Sequence, residues 1–366
     1  MMFSVRSLAL LLVALTVAST SFVRAAAPAS TFVAADDPGF VYEGRFDQAN
    51  PAAPVVVWQA SRIRVAFEGD SIALQFADAK GQSFFNAQVD GRTQLVALRE
   101  GRPAEGTSLS GLGAGRHELV LFKRSEASAG TVRFRGVELP SDARLLPSER
   151  PSYRLRMQFF GDSITAGACS EDGAADQWAD RSTHNNVVSY GALTAAAFQA
   201  DYRNIAVSGM GIAIGWTEVK AGQMWDRIYP SADSPRADVA SWVPDVLFIN
   251  LGENDDSFST AKHRPFPVDD YVNGYVALVQ SFRRAWPDVQ IVILRGGMFG
   301  GSQSEQLRKP WEKAVAQIEA TDPHVSHFVF THWASTHPRV ADHRAMADEL
   351  IAWLREQPFM KPAAIR

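Results

Sequence analysis

The chain has 366 residues and a formal net charge of -4, with 36 Lys and Arg against 40 Asp and Glu and no basic run. That balance leaves no electrostatic footprint for nucleic acid or an anionic membrane. Hydrophobic residues make up 46%, enough for well-packed cores, and the length exceeds one ordinary core, so two domains are expected.

Taken in chain order, residues 1–27 read as a secretory signal peptide. Arg6 precedes an apolar run from Leu8 to Ala18, and small residues end in Arg24-Ala25-Ala26-Ala27, with cleavage near Ala25 to Ala27. The mature protein is then secreted or periplasmic. The run is too short to span a bilayer comfortably, and no other stretch approaches the roughly 18 apolar residues of a membrane helix. Cys169 is the single cysteine, so no internal disulfide can form and its thiol is expected to be buried and inert.

Residues 36–140 read as an antiparallel β-sandwich. Arg62 to Phe67 and Ser71 to Phe76 alternate with period two and are separated by Gly-containing turns. The Pro-containing stretch 141–153 reads as a linker. From 154 to 358 apolar strands alternate with amphipathic helices. Strands are expected at Arg156 to Phe160, Tyr202 to Val207, Val246 to Leu251, Gln290 to Leu294 and His327 to Phe330. Helices are expected at Val187 to Gln199, Asp270 to Trp286, Glu305 to Ala320 and Val340 to Glu356. That grammar predicts a three-layer α/β domain on a parallel sheet.

In such sheets functional groups gather on loops at the carboxyl ends of strands. Those loops carry Gly161-Asp162-Ser163-Ile164-Thr165, Val207-Ser208-Gly209-Met210-Gly211, Gly252-Glu253-Asn254-Asp255, and His332 to Pro338. A serine hydroxyl attacks only when a neighbouring base takes its proton, and a neutral imidazole suits that task near pH 7. Ser163 and His337 fit these roles. An oxyanion needs preorganised donors, which the Ser163 and Gly209 N–H groups and the Asn254 amide can supply.

These four blocks resemble those of the SGNH (GDSL-like) hydrolases. With the sandwich ahead of them, ending near Lys123-Arg124-Ser125-Glu126-Ala127, the whole mature chain resembles carbohydrate esterase family 2. The resemblance implies a jelly-roll domain followed by an SGNH hydrolase domain, and a serine acyl-enzyme esterase that removes acetyl groups from plant cell-wall polysaccharide of the xylan or mannan type. By it Ser163 is the nucleophile, Gly209 and Asn254 are oxyanion donors and His337 is the base, with no cofactor and no metal. Many SGNH enzymes carry an aspartate three residues before the histidine, where this chain has Ala334. A backbone carbonyl is therefore expected to orient His337 in a Ser-His dyad, as the resemblance to family 2 allows, with an acid from elsewhere, such as Asp342, as the alternative.

Other features have plainer readings. Gly69-Asp70-Ser71 reads as a hairpin turn, lacking partner blocks. Glu253, Asp255 and Asp256 are consecutive enough that they cannot all face one ion, and read as solvated or structural acids. Gly209-Met210-Gly211 with Gly215 departs from the dinucleotide spacing. His332 and His343 read as ordinary polar residues. Trp333 and Trp216 are candidate stacking platforms for a sugar ring. The rival functions are a lipase, thioesterase or peptidoglycan deacetylase on the same scaffold, and a non-catalytic polysaccharide-binding protein, which the absent acid would favour.

Overall fold

The computed structural model describes residues 30–361; the signal-peptide reading falls outside them. The N-terminal unit is an antiparallel sheet of 11 strands curled on itself. The curl follows from one long strand, Ile72–Val89. Its first half pairs with Gly130–Pro140, and its second half with Arg92–Arg99 and Arg116–Lys123. Alternation in Arg62–Glu68 places Ile63, Val65 and Phe67 inward with Leu119 and Leu121. Cross-strand pairs such as Ile63 with Leu121 then fix the register.

Two expectations change here. Gly69-Asp70-Ser71 is not a hairpin turn, because the strands on either side of it, Arg62–Glu68 and Ile72–Val89, each pair with Arg116–Lys123 and not with each other. The stretch read as a linker contributes a strand, Arg144–Leu146. It pairs with Ala66 to Glu68 on the edge that Phe40–Glu43 leaves open beyond Val65, and so satisfies backbone groups that would otherwise be exposed.

The second unit is a parallel sheet of five strands: Leu155–Gly161, Ala200–Ala206, Val246–Asn250, Gln290–Met298 and Val325–Ala334. Their spatial order is 2-1-3-4-5, so the direction of winding reverses between strands one and three, and a crevice opens at their carboxyl ends. The interior strands are apolar on both faces, as burial under helices demands. Ile291 and Ile293 face the helices Val268–Ala285 and Glu305–Glu319, while Val292 and Leu294 face Tyr190–Ala197 and Val340–Glu356. The last strand runs well past its expected end at Phe330, because as an edge strand it tolerates polar residues such as Thr331 and His332. A helix at Glu253–Ala261 was not anticipated. Its acidic first turn looks like a turn in sequence, yet acids suit a helix N-terminus.

The two units share one interior. Val55, Val57, Trp58 and Ala127 belong to the same apolar cluster as the core of the parallel sheet. Trp58 Nε1 donates to Ile228 O at 2.7 Å, Arg45 donates to Trp225 O at 2.8 Å, and Arg62 pairs with Asp201 at 2.7 Å. Among the described residues no helix is long and apolar enough to cross a membrane.

Candidate active site

The first parallel strand runs directly into Asp162 and the short helix Ser163–Ala166. Asp162 caps that helix, its Oδ1 accepting from Ile164 N at 3.0 Å. Gly161 is required by close approach, since a Cβ there would lie 2.2 Å from Thr165 Oγ1 and 2.7 Å from Asn250 O. Ser163 thus opens the helix, where no intrahelical acceptor exists for its N–H.

The Ser163 Oγ lies 2.9 Å from His337 Nε2, and His337 Nδ1 lies 2.6 Å from Asp176 Oδ2. An ionised carboxylate only accepts, so it takes the Nδ1 proton and leaves the Nε2 lone pair for the serine hydroxyl. Asp176 is held in turn. Its Oδ1 accepts from Arg339 Nη1 at 2.8 Å, and Arg339 also donates to the carbonyls of Cys169, Gly173 and His337. Partial burial raises the Asp176 carboxyl, but the bonds from His337 and Arg339 outweigh it and hold it below the ordinary range.

A carboxylate and not a backbone carbonyl therefore orients His337, and that carboxylate is not Asp342. Asp342 bonds His332 Nε2 at 2.8 Å and caps the last helix through Arg339 N at 2.8 Å. Sequence reasoning missed Asp176 because it lies 161 positions from His337, in a loop with no periodic signal.

The three donors expected for an oxyanion differ in how they are occupied. The N–H groups of Ser163 and Gly209 make no hydrogen bond among the described residues. Gly209 has φ +84°, and a Cβ there would lie 3.0 Å from Trp216 Cβ, so only glycine fits. The buried Asn254 amide donates to Met210 O at 3.0 Å and Asp162 Oδ2 at 3.1 Å. An incoming oxyanion would take one of those hydrogens by displacing an acceptor.

The acids around Asn254 are structural. Asp255 accepts the N–H groups of Ile212, Ala213 and Ile214 at 2.9, 2.8 and 3.0 Å, which fixes the loop after Gly209. The N–H groups after the glycine-rich stretch thus serve a carboxylate of their own chain. Glu253 accepts from Gly300 and Gly301, and Asp256 from Ser304, so these two acids hold the segment Gly300 to Ser304 while Asp255 points to the loop after Gly209. Burial pushes Glu253 up to about 7 and Asp255 up to about 6. Cys169 is buried, and burial pushes its thiol far up. His343 is fully buried with Nδ1 accepting from Tyr190 N, and burial pushes it down to about 3.

Trp216 and Trp333 are 52% and 36% exposed. Trp333 stands beside exposed Phe299, and Trp216 packs on Phe258 with its Nε1 bonded to Ser257. A third tryptophan was missed by sequence reasoning. Trp178, 39% exposed, meets the His337 ring edge-to-face at 5.0 Å. Nothing in the sequence around it distinguishes it from a buried residue.

Comparisons with known proteins give the family. Residues 42–148 match the carbohydrate esterase 2 N-terminal family and residues 159–356 the GDSL-like lipase/acylhydrolase family. A cellulase/esterase of Acetivibrio thermocellus is 31% identical over 88% of this chain, which spans only 40% of that relative's length. An acetylxylan esterase / glucomannan deacetylase of Cellvibrio japonicus is 29% identical over 84% of this chain and 87% of its own. A family two carbohydrate esterase from Clostridium thermocellum, solved in complex with cellohexaose, superposes with a TM-score of 0.75 at 30% identity, covering 87% of this chain and 98% of that one. By the family models and by this near-complete structural match, the chain belongs to the family 2 carbohydrate esterases, and so to the carboxylic ester hydrolases.

Proposed function

We propose that this protein is an exported O-acetyl esterase that removes acetyl groups from plant cell-wall polysaccharide of the xylan or mannan type. The observation that carries the reaction is the continuous bond chain from Ser163 through His337 to Asp176. In the mechanism, His337 Nε2 takes the Ser163 proton as Oγ attacks the acetyl carbonyl. The negative charge on the tetrahedral oxygen meets the Ser163 and Gly209 N–H groups and the Asn254 amide. As the intermediate collapses and its bond to the sugar oxygen breaks, imidazolium protonates that oxygen, releasing the sugar hydroxyl and leaving an acetyl-serine. Water, deprotonated by His337, releases acetate and restores the serine. Asp176 stabilises the imidazolium in both halves without taking its proton.

The polysaccharide assignment rests on the activities for which the relatives are named and on the cellohexaose bound to one of them. Exposed Trp216 and Trp333 are the proposed stacking surfaces for its sugar rings. The binding-protein alternative drew its support from a missing acid, and Asp176 removes that support. The test is acetate release from acetylated xylan and glucomannan by the mature protein, with Ser163→Ala in parallel. Release by the wild type alone is expected. Activity retained by Ser163→Ala, or no turnover of either polysaccharide or of short p-nitrophenyl esters, would overturn the proposal.

A further inference from the structure

Glu126 comes from the N-terminal unit, in the segment Lys123-Arg124-Ser125-Glu126-Ala127, and is only 1% exposed. A buried carboxylate must be paired, because desolvation is otherwise too costly. Its partners lie on the other unit and on both sides of the site. Oε2 accepts from Ser208 N at 3.1 Å and Ser208 Oγ at 2.6 Å. Oε1 accepts from Arg181 Nη1 at 3.1 Å. Ser208 immediately precedes Gly209, so holding its N–H and hydroxyl anchors the residue from which the peptide bearing the Gly209 N–H extends. The Arg181 guanidinium lies over the Trp178 ring at 4.8 Å, and that ring abuts His337.

Neighbours secure the segment itself. The Lys123 ammonium donates to the carbonyls of Val57, Glu126 and Gly130. Arg124 pairs with Glu171, and its carbonyl accepts from Asn186 N at 2.9 Å, which ties down both ends of the loop that carries Asp176.

We infer that Glu126 is a positioning residue for the esterase chemistry: it holds the oxyanion loop through Ser208 and the wall behind His337 through Arg181 and Trp178. The N-terminal unit is then part of the catalytic apparatus and not an appended module. This rests on the esterase reading above.

The experiment compares Glu126→Ala, Glu126→Gln and Asp201→Ala in the full chain. The last removes an interdomain ion pair remote from the serine. Each is measured for kcat and KM on p-nitrophenyl acetate, for affinity toward a small alkylboronic acid, which forms a tetrahedral adduct on the serine, and for melting temperature. Glu126→Ala is expected to lower kcat and boronate affinity by about 10- to 100-fold with KM nearly unchanged, the pattern of a lost transition-state contact. Glu126→Gln keeps an oxygen for Ser208 and recovers most of that loss. Asp201→Ala lowers the melting temperature but leaves kcat intact. If Glu126→Ala does not fold, Ser208→Ala reads the same contact, with a severalfold drop in kcat expected. Wild-type kcat and boronate affinity in the folded Glu126→Ala or Ser208→Ala protein would overturn this inference alone. A wild type that hydrolyses no ester would overturn the esterase reading and this inference with it.

Discussion

Replacing Asp176 by asparagine should damage the enzyme more than replacing it by alanine, and the structure gives the reason. The charged Arg339 donates to Asp176 Oδ1 at 2.8 Å while the His337 backbone N–H reaches Oδ2 only at 3.3 Å, so an asparagine in that place is expected to turn its carbonyl oxygen toward Arg339. Its NH2 group then faces His337 Nδ1, where the carboxylate now sits at 2.6 Å. A donor there forces the imidazole proton onto Nε2, so that Nε2 points a hydrogen at Ser163 and cannot take the serine proton. Alanine only leaves Nδ1 to water, which allows the productive tautomer. A wrong-tautomer substitution in a serine triad costs roughly 10,000-fold in kcat, or about 5.4 kcal/mol at 1.36 kcal/mol per decade. We expect a loss of that order for Asp176→Asn and about 100- to 1000-fold for Asp176→Ala, with KM for p-nitrophenyl acetate little changed in both. Initial rates across pH 5 to 9 on protein of verified fold measure it. Activity within a few fold of wild type in both variants would mean that Asp176 does not orient the base.

Gly209→Ala places a side chain at φ +84° and 3.0 Å from Trp216 Cβ; about 100-fold loss of kcat is expected as the N–H moves, and an unchanged kcat would remove Gly209 from the oxyanion site. His343 is neutral and buried in the fold with its proton affinity lowered to about 3. The unfolded chain therefore binds the extra proton, and stability is full above about pH 6.5 and falls as the pH drops toward about 3. His343→Gln, which keeps an acceptor for Tyr190 N–H, should shrink the stability difference between pH 7 and pH 4 by about 3 kcal/mol, read from urea midpoints at both pH values; an unchanged difference refutes it. Trp216→Ala and Trp333→Ala should each raise KM for acetylated oligosaccharide by about 5- to 10-fold, the worth of one aromatic contact, while leaving p-nitrophenyl acetate kinetics alone; equal effects on both substrates would place these rings in the fold and not on the sugar.

The sequence by itself determined the two-part architecture, because period-two alternation and βα alternation are local patterns that burial imposes on any chain making those elements. It determined the four parallel-sheet loops that meet at the reversal of strand order, since the chain order of strands and their carboxyl-end residues are linear information. Tertiary structure alone decided what a loop without periodicity does. The stretch from Ser170 to Asn186 has no apolar repeat to place it, yet it carries Asp176 and Trp178 to His337, held there by Arg339 and by contacts from the other unit. The same holds for Arg144–Leu146, which becomes a strand only because an open sheet edge lies beside it, and for the Asp255 carboxylate, which becomes a structural acceptor only when three N–H groups converge on it. In each case the partner is distant in sequence, and a hydrogen bond between distant residues leaves no period in the chain to read.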